Sequence, residues 1–266
     1  MKVFVGIIKV RILLLLQYRM AAIAGIFTQI FFGGLFIMVF DAFFASGNQS
    51  SMPMTFSQTV TYIWLGQAFL GLLPWNGDRE VQAMIREGQV AYEFLRPLNL
   101  YAYWYARIFS QRIAGTLLRC FPLIIVASLI AKPYGLSTPF SVTNFILFIV
   151  ALIAAVLLGC AISNLITISV LFTIGDGMDR LFPAIVMFFS GMVIPLPLFP
   201  DWAQGILKVL PFSGLTDTPY RYYLGMYGTE DFLLTTTHAI LWTIALVILG
   251  EYMIHVSKKH IVVMGG

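Results

Sequence analysis

The chain has 266 residues, 59% of them hydrophobic and only 11% charged, with a formal net charge of +4 and a mean hydropathy of +0.88. Soluble domains are roughly 45–50% apolar and about 25% charged, so this composition excludes an ordinary soluble fold and points to a single helical bundle in lipid. The basic residues are scattered rather than gathered in a tract, which argues against nucleic acid as a partner, and no linker, repeat or low-complexity segment divides residues 1–266 into more than one domain.

Residues 1–19 read as an interfacial helix on the cytoplasmic face. Their apolar run is broken at Gln17 and Arg19, too early for the h-region of a signal peptide, and Lys2 and Lys9 align on one side while Arg11 does not. Six stretches then suit membrane helices, each of which needs about 20 mainly apolar residues because lipid leaves no backbone group solvated. They are Met20–Phe40, closing near Asp41; Phe56–Trp75; Ile108–Ala131; Val142–Thr173; a fifth starting near Leu181; and Phe232–His255. Cys120 and Cys160 fall inside apolar runs and read as small core residues.

The connections alternate in character. Residues 48–53 are short and polar, residues 76–100 charged and helical, residues 132–135 a turn, residues 175–180 a tight charged turn, and residues 195–231 long and rich in proline and aromatics. With the N-terminus inside, the cytoplasmic segments hold Lys2, Lys9, Arg11, Arg19, Arg79, Arg86, Arg96, Arg107, Arg112, Arg180, Lys258 and Lys259. The outer ones hold Lys132, Lys208 and Arg221. That bias places both termini in the cytoplasm and requires an even number of spans. Tyr101, Tyr103, Trp104 and Tyr105 are expected at the inner headgroups, and Tyr220, Tyr222, Tyr223 and Tyr227 at the outer ones.

The segment from Asp78 to Pro97 is the most charged in the chain. Val81, Met84, Ile85, Tyr92 and Leu95 recur at helical spacing, with Arg79, Glu80, Arg86, Glu87 and Glu93 around them. Asp78 suits an N-cap, Pro97 a stop and Gly88 a break between two short helices, making an elbow at the membrane surface. Two uses stand side by side: an interfacial anchor for two spans, or a docking knob for a soluble partner.

The fifth span is short. The 14 residues from Leu181 to Ile194 rise roughly 21 Å before Pro195, Pro197 and Pro200, against a bilayer core of about 30 Å. Either it starts earlier, or the chain breaks in the outer leaflet and dips back. Asp201 can cap a following helix that carries Trp202, Ile206, Val209 and Leu210 on one face and ends at Pro211. The alternatives are a re-entrant element at the mouth of a pathway and a plain extracellular loop after a kinked span.

Intramembrane charges are costly and informative. Arg112 and Arg119 share one face of the third span; Arg112 is expected to snorkel to the inner headgroups. Arg119 should face the bundle, with Asp176, Asp179 or Glu251 as a structural partner, or with substrate. Glu251 and His255 stand i, i+4 near the inner end of the sixth span, as an interfacial pair or a proton relay. His238 is isolated, and the histidines form no metal-ligand set.

The N-terminal helix, six spans, the elbow between spans two and three, and the proline-broken fifth span together resemble ABC-2-type permeases. The runs PLPLFPDWAQ from Pro195, LPFSGLTDTPYRYYLG from Leu210 and IREGQVAYEFLRPL from Ile85 are similar to that family's outer segment and cytoplasmic loop. The resemblance covers essentially the whole chain and is closest to a bacterial branch of daunorubicin-type or uncharacterised ABC permeases. It implies an all-α integral membrane protein of the type V exporter kind in the bacterial plasma membrane. Two permeases, like or unlike, would pair and bind two cytoplasmic ATPases on their elbows, and ATP-driven closure would expel an amphiphilic drug, peptide or lipid. It assigns docking to Glu80, Met84, Ile85, Arg86, Glu87 and Gly88, and an outer gate to Pro195, Pro197, Pro200 and Trp202. No G-x-x-x-x-G-K-[ST] occurs in the chain, so ATP and magnesium are expected on the partner ATPase and no cofactor here. A stand-alone channel or secondary transporter is the competing reading; it calls for paired midplane charges or an inverted repeat. A membrane-embedded enzyme calls for a convergent catalytic cluster. The sequence displays neither.

Overall fold

The computed structural model describes residues 2–15, 17, 19–46, 52–95, 97–173 and 177–257. Arg96, Asp176, Lys258, Lys259 and His260 lie outside these, as does the side chain of Asp179. Among the described residues all regular structure is helical, in eleven α-helices and three one-turn 3-10 helices. Among the described residues four helices are long and apolar enough to cross a membrane: Ala22–Ser46, Leu100–Leu129, Val142–Ser169 and Phe232–Ser257.

Helix α1 (Lys2–Leu15) packs along α6 (Leu100–Leu129), and α2 (Arg19–Ser46) lies against α3 (Phe56–Ala68) and α6. α3 opens on a capping box, in which Thr55 accepts from Gln58 N and the Gln58 side chain reaches back to Thr55 N. Residues from Thr59 to Ala68 of α3 are all buried, so protein rather than lipid surrounds its Thr, Gln and Trp side chains. α6 and α7 (Val142–Ser169) form the central pair, and α7 also carries α11 (Phe232–Ser257) and α10 (Asp217–Tyr223). α8 (Gly177–Phe189), like α3, has 13 residues and rises about 20 Å, less than a bilayer core.

Several boundaries move from their expected places. The first span runs through Asp41 to Ser46, and Asp41 accepts from Tyr134 Oη at 3.3 Å. The third begins at Leu100, where Asn99 caps it by accepting from Ala102 N, and the fourth ends at Ser169. The fifth starts earlier than Leu181, at Gly177, and ends earlier, at Phe189.

Much of the aromatic side-chain surface expected at the headgroups is packed inside the chain. Tyr101 and Trp104 are buried, as are Tyr220, Tyr222 and Tyr223. α10 is tucked beneath the surface by a buried Asp217–Arg221 ion pair of 2.6 Å, with Tyr62 Oη donating to Asp217 at 3.2 Å. Burial raises the Asp217 carboxyl above its ordinary range, and the Arg221 guanidinium opposes that shift. Cys120 and Cys160 are buried free thiols packed in apolar clusters.

Candidate functional site

The elbow folds as α4 (Arg79–Arg86) and α5 (Val90–Phe94), with Gly88 at φ +74° between them. α4 begins where its sequence requires: the Asp78 side chain accepts from the amides of Glu80 and Val81. Left-handed backbone at Gly88 turns the chain after one short helix, a conformation that glycine adopts without a Cβ penalty.

One face of the elbow is rooted in the bundle. Arg107 of α6 donates to Asp78 through Nε at 2.7 Å and Nη2 at 3.1 Å, with both side chains almost wholly buried. Asp78 N donates to Thr167 Oγ1 of α7 at 2.8 Å. Val81 is fully buried among Val90, Leu100, Tyr101, Trp104, Ile168 and Ile254. Gly77, just before the cap, lies against α7; a Cβ there would stand 2.9 Å from Thr167 N. Glu80 accepts from Arg107 at 2.6 Å and from Arg11 of α1 at 3.2 Å. The hydrogen bond from Arg107 holds its carboxyl below the ordinary range, against the opposing effect of partial burial.

The other face is open. Arg86 and Glu87 are exposed, and Glu87 accepts from Gln89 Nε2 at 2.9 Å. Tyr92 and Leu95 are exposed as well. Met84 and Ile85 differ from their expected role: both are half-buried and pack on the chain's own apolar cluster, so only part of each is presented outward. Glu80, Met84, Ile85, Arg86, Glu87 and Gly88 thus share one short helix and its turn, with Glu80 already committed to Arg107 and Arg11.

Arg112 does not snorkel. Its guanidinium is buried and donates to the carbonyls of Gly71 at 3.3 Å, Leu73, and Asn76 at 3.4 Å, and to Ser163 Oγ of α7. The chain between α3 and α4 passes through the 3-10 turn Leu70–Leu72 into non-helical backbone, where carbonyls are left with acceptor capacity that the cation takes up. Arg119 is half-buried against Gly25 of α2, and among the described residues no carboxylate pairs with it. Glu251 is not its partner: it accepts from Asn99 Nδ2 at 3.0 Å, and this contact also replaces the expected pairing with His255. His238 meets Val209 O at 2.9 Å and Trp242 Nε1 at 3.1 Å, tying α11 to the end of α9 (Asp201–Val209).

At the other end of the bundle, Pro195 opens the one-turn helix Leu196–Leu198, whose Leu196 and Pro197 are buried. Pro200, rather than Asp201, is the N-cap of α9. Ala203 and Leu207 turn inward, while Trp202, Ile206 and Val209 are exposed. Pro197 and Phe199 also accept from Gln204 Nε2, which folds this segment on itself.

Sequence reasoning missed the Asp78–Arg107 pair, whose members lie 29 residues apart, and the polar stripe on α7. Ser163, Asn164 and Thr167 are fully buried and meet Arg112, Tyr101 O and Asp78 N respectively. Their signal was present as three polar residues on adjacent turns, following an apolar run from Phe145 to Ile162. The sequence model described as ABC-2 family transporter protein matches residues 32–259, which takes in the elbow and every helix from within α2 to α11. No curated protein matches the chain.

Proposed function

Because this chain belongs to the ABC-2 family of transporter proteins, we propose that it is the permease half of an ATP-driven exporter whose ATPase docks on the α4–α5 elbow. It is a multi-pass membrane protein and a transport subunit. The observation that carries the docking assignment is the two-sided elbow. Its inner side is fixed to α6 and α7 by Asp78, Arg107, Thr167 and Val81, and its outer side offers Arg86 and Glu87. A rigid root and a charged open face are what a soluble motor needs to push on membrane helices without unfolding the loop.

In this reading α3 and α8 complete six crossings, extended by the short turns that follow each, and both termini face the cytoplasm of a bacterial cell. α1 lies at the inner interface. Residues 195–231 form the re-entrant outer segment, a reading supported by the exposed apolar side chains of Trp202, Ile206 and Val209 on a helix too short to cross. Residues 1–266 act as one permease domain. A second permease, like or unlike, completes the pathway for an amphiphilic substrate, and the two ATPases hold ATP and magnesium.

The test is co-purification with the candidate ATPase. Arg86→Glu with Glu87→Lys reverses the exposed charges and leaves the packed Met84 and Ile85 intact. Loss of the ATPase from the purified complex, with the membrane chain still folded, is the expected result. Retention of the ATPase would remove docking from this face.

A further inference from the structure

The exposed surface of the elbow changes character at Gly88. Before it, Arg79, Glu80, Arg86 and Glu87 are exposed. After it, α5 turns Val90 and Glu93 inward and exposes Tyr92 at 70% and Leu95 at 80%. Pro97 and Leu98 carry that apolar surface on to Asn99, the cap of α6. Among the described residues from 90 to 98 no charged side chain is exposed. Arg96 lies outside them and is of a type that suits a layer of phosphate headgroups. Water penalises a contiguous apolar patch in rough proportion to its area, and such a patch marks a surface that something covers.

A hydrogen bond fixes the depth of this tract. Asn99 Nδ2 donates to Glu251 Oε1 of α11 at 3.0 Å. α11 has 26 residues and rises about 39 Å, about 9 Å more than a bilayer core of about 30 Å. From Glu251 to the end of the helix at Ser257 is also about 9 Å. Even with all the excess length on that side, Glu251 and Asn99 therefore stand at the edge of the hydrocarbon, and tilt only takes them deeper. A cavity of about 250 Å³ has Phe94 and Leu98 on one wall and Ile254 and His255 on the other, which keeps the end of α5 beside the end of α11. Tyr252, next to Glu251, is 65% exposed. Tyrosine favours this depth, where its ring meets apolar chains and its hydroxyl stays wet.

We propose that α5 is a membrane anchor, with Tyr92, Leu95 and Leu98 seated in the boundary between headgroups and acyl chains of the adjoining leaflet. The occupant is lipid because the patch continues, through Leu98 and Asn99, into the exposed flank of α11 at Tyr252, on a helix that crosses the membrane. The charged surface of α4 begins on the other side of Gly88 and is left to a soluble partner; that division rests on the docking proposed above, whereas the anchor rests only on α11 crossing the bilayer.

The test places a fluorophore on the purified full chain in phosphatidylcholine liposomes, without ATPase or ATP. Leu95→Cys and Glu87→Cys are labelled in separate chains; Cys120 and Cys160 are buried, and wild type taken through the same labelling sets the background. Two quenchers are compared: phosphatidylcholine spin-labelled near the headgroup end of its acyl chain, and aqueous iodide. The fluorophore at residue 95 is expected to lose most of its emission to the spin-labelled lipid and little to iodide, and the one at residue 87 the reverse. Tyr92→Cys, on the same face, gives the same reading if the Leu95 variant does not fold. Quenching at residue 95 by iodide and not by lipid shows a wet surface and overturns the proposal. Protection from both quenchers shows cover by protein, such as a second copy of the chain, and overturns it too. Loss of lipid quenching at residue 95 when the candidate ATPase is added would give this face to the ATPase instead, and would equally overturn it. The quenching comparison itself contains no ATPase, so its outcome is separate from a failure of docking at Arg86 and Glu87.

Discussion

Asp78 does two jobs with one carboxylate, capping α4 and neutralising Arg107. Removing one partner of a buried pair leaves the other charge uncompensated, at a cost of about 3–5 kcal/mol. Asp78→Ala is expected to lower the thermal midpoint of the detergent-solubilised chain sharply; a midpoint close to wild type would show that the pair does not hold the elbow. Arg112→Met removes a donor to the carbonyls of Gly71, Leu73 and Asn76, each costing about 1–3 kcal/mol if left unsatisfied. Arg112→Lys should restore only part of the stability, since one ammonium cannot span the same acceptors. Glu80 supplies a pH dependence. Its native carboxyl titrates below the unfolded value of about 4.3, so its ion pairs contribute fully above that pH and are lost as pH falls through the lowered native value. Hydrogen exchange in α4 should be insensitive to this group from about pH 8 to about pH 5 and rise only below about pH 4.

At the scale of elements, two glycines set the elbow. Gly88→Ala forces a Cβ into left-handed backbone at about 1–2 kcal/mol, and Gly77→Ala drives one against the backbone of α7. Each substitution should loosen α4, measured as faster proteolysis between α3 and α6, whereas Gly115→Ala, with open space around it in α6, should not. The elbow was legible because its signals are local: Asp78 three residues before Val81, an amphipathic period, and a glycine break. The burial of Tyr220 and Tyr222 was not legible because amphipathic rings at a span's end carry the same pattern whether they meet headgroups or a buried ion pair and its neighbours. Arg112 was misplaced for a related reason. Three of its partners are main-chain carbonyls 36–41 residues away, which leave no mark in side-chain patterning, and the fourth, Ser163 Oγ, lies on another helix.

For the whole molecule, hydropathy reports contact with lipid rather than position in a bundle. α7 and α11 read clearly as spans because long apolar runs form them, while α3 is buried by its neighbours and needs little hydropathy of its own. Family membership makes the chain a membrane transport subunit, and the rooted elbow is the surface on which the proposed ATPase would act. The most direct measurement is ATP hydrolysis by the partner ATPase in proteoliposomes with wild-type chain, with the Arg86→Glu, Glu87→Lys variant and with no chain. The account predicts hydrolysis that rises with wild type and falls to the chain-free level with the variant. Hydrolysis indifferent to the chain, together with passage of a fluorescent amphiphile through chain-only liposomes without ATP, would contradict it and favour a stand-alone channel or secondary transporter.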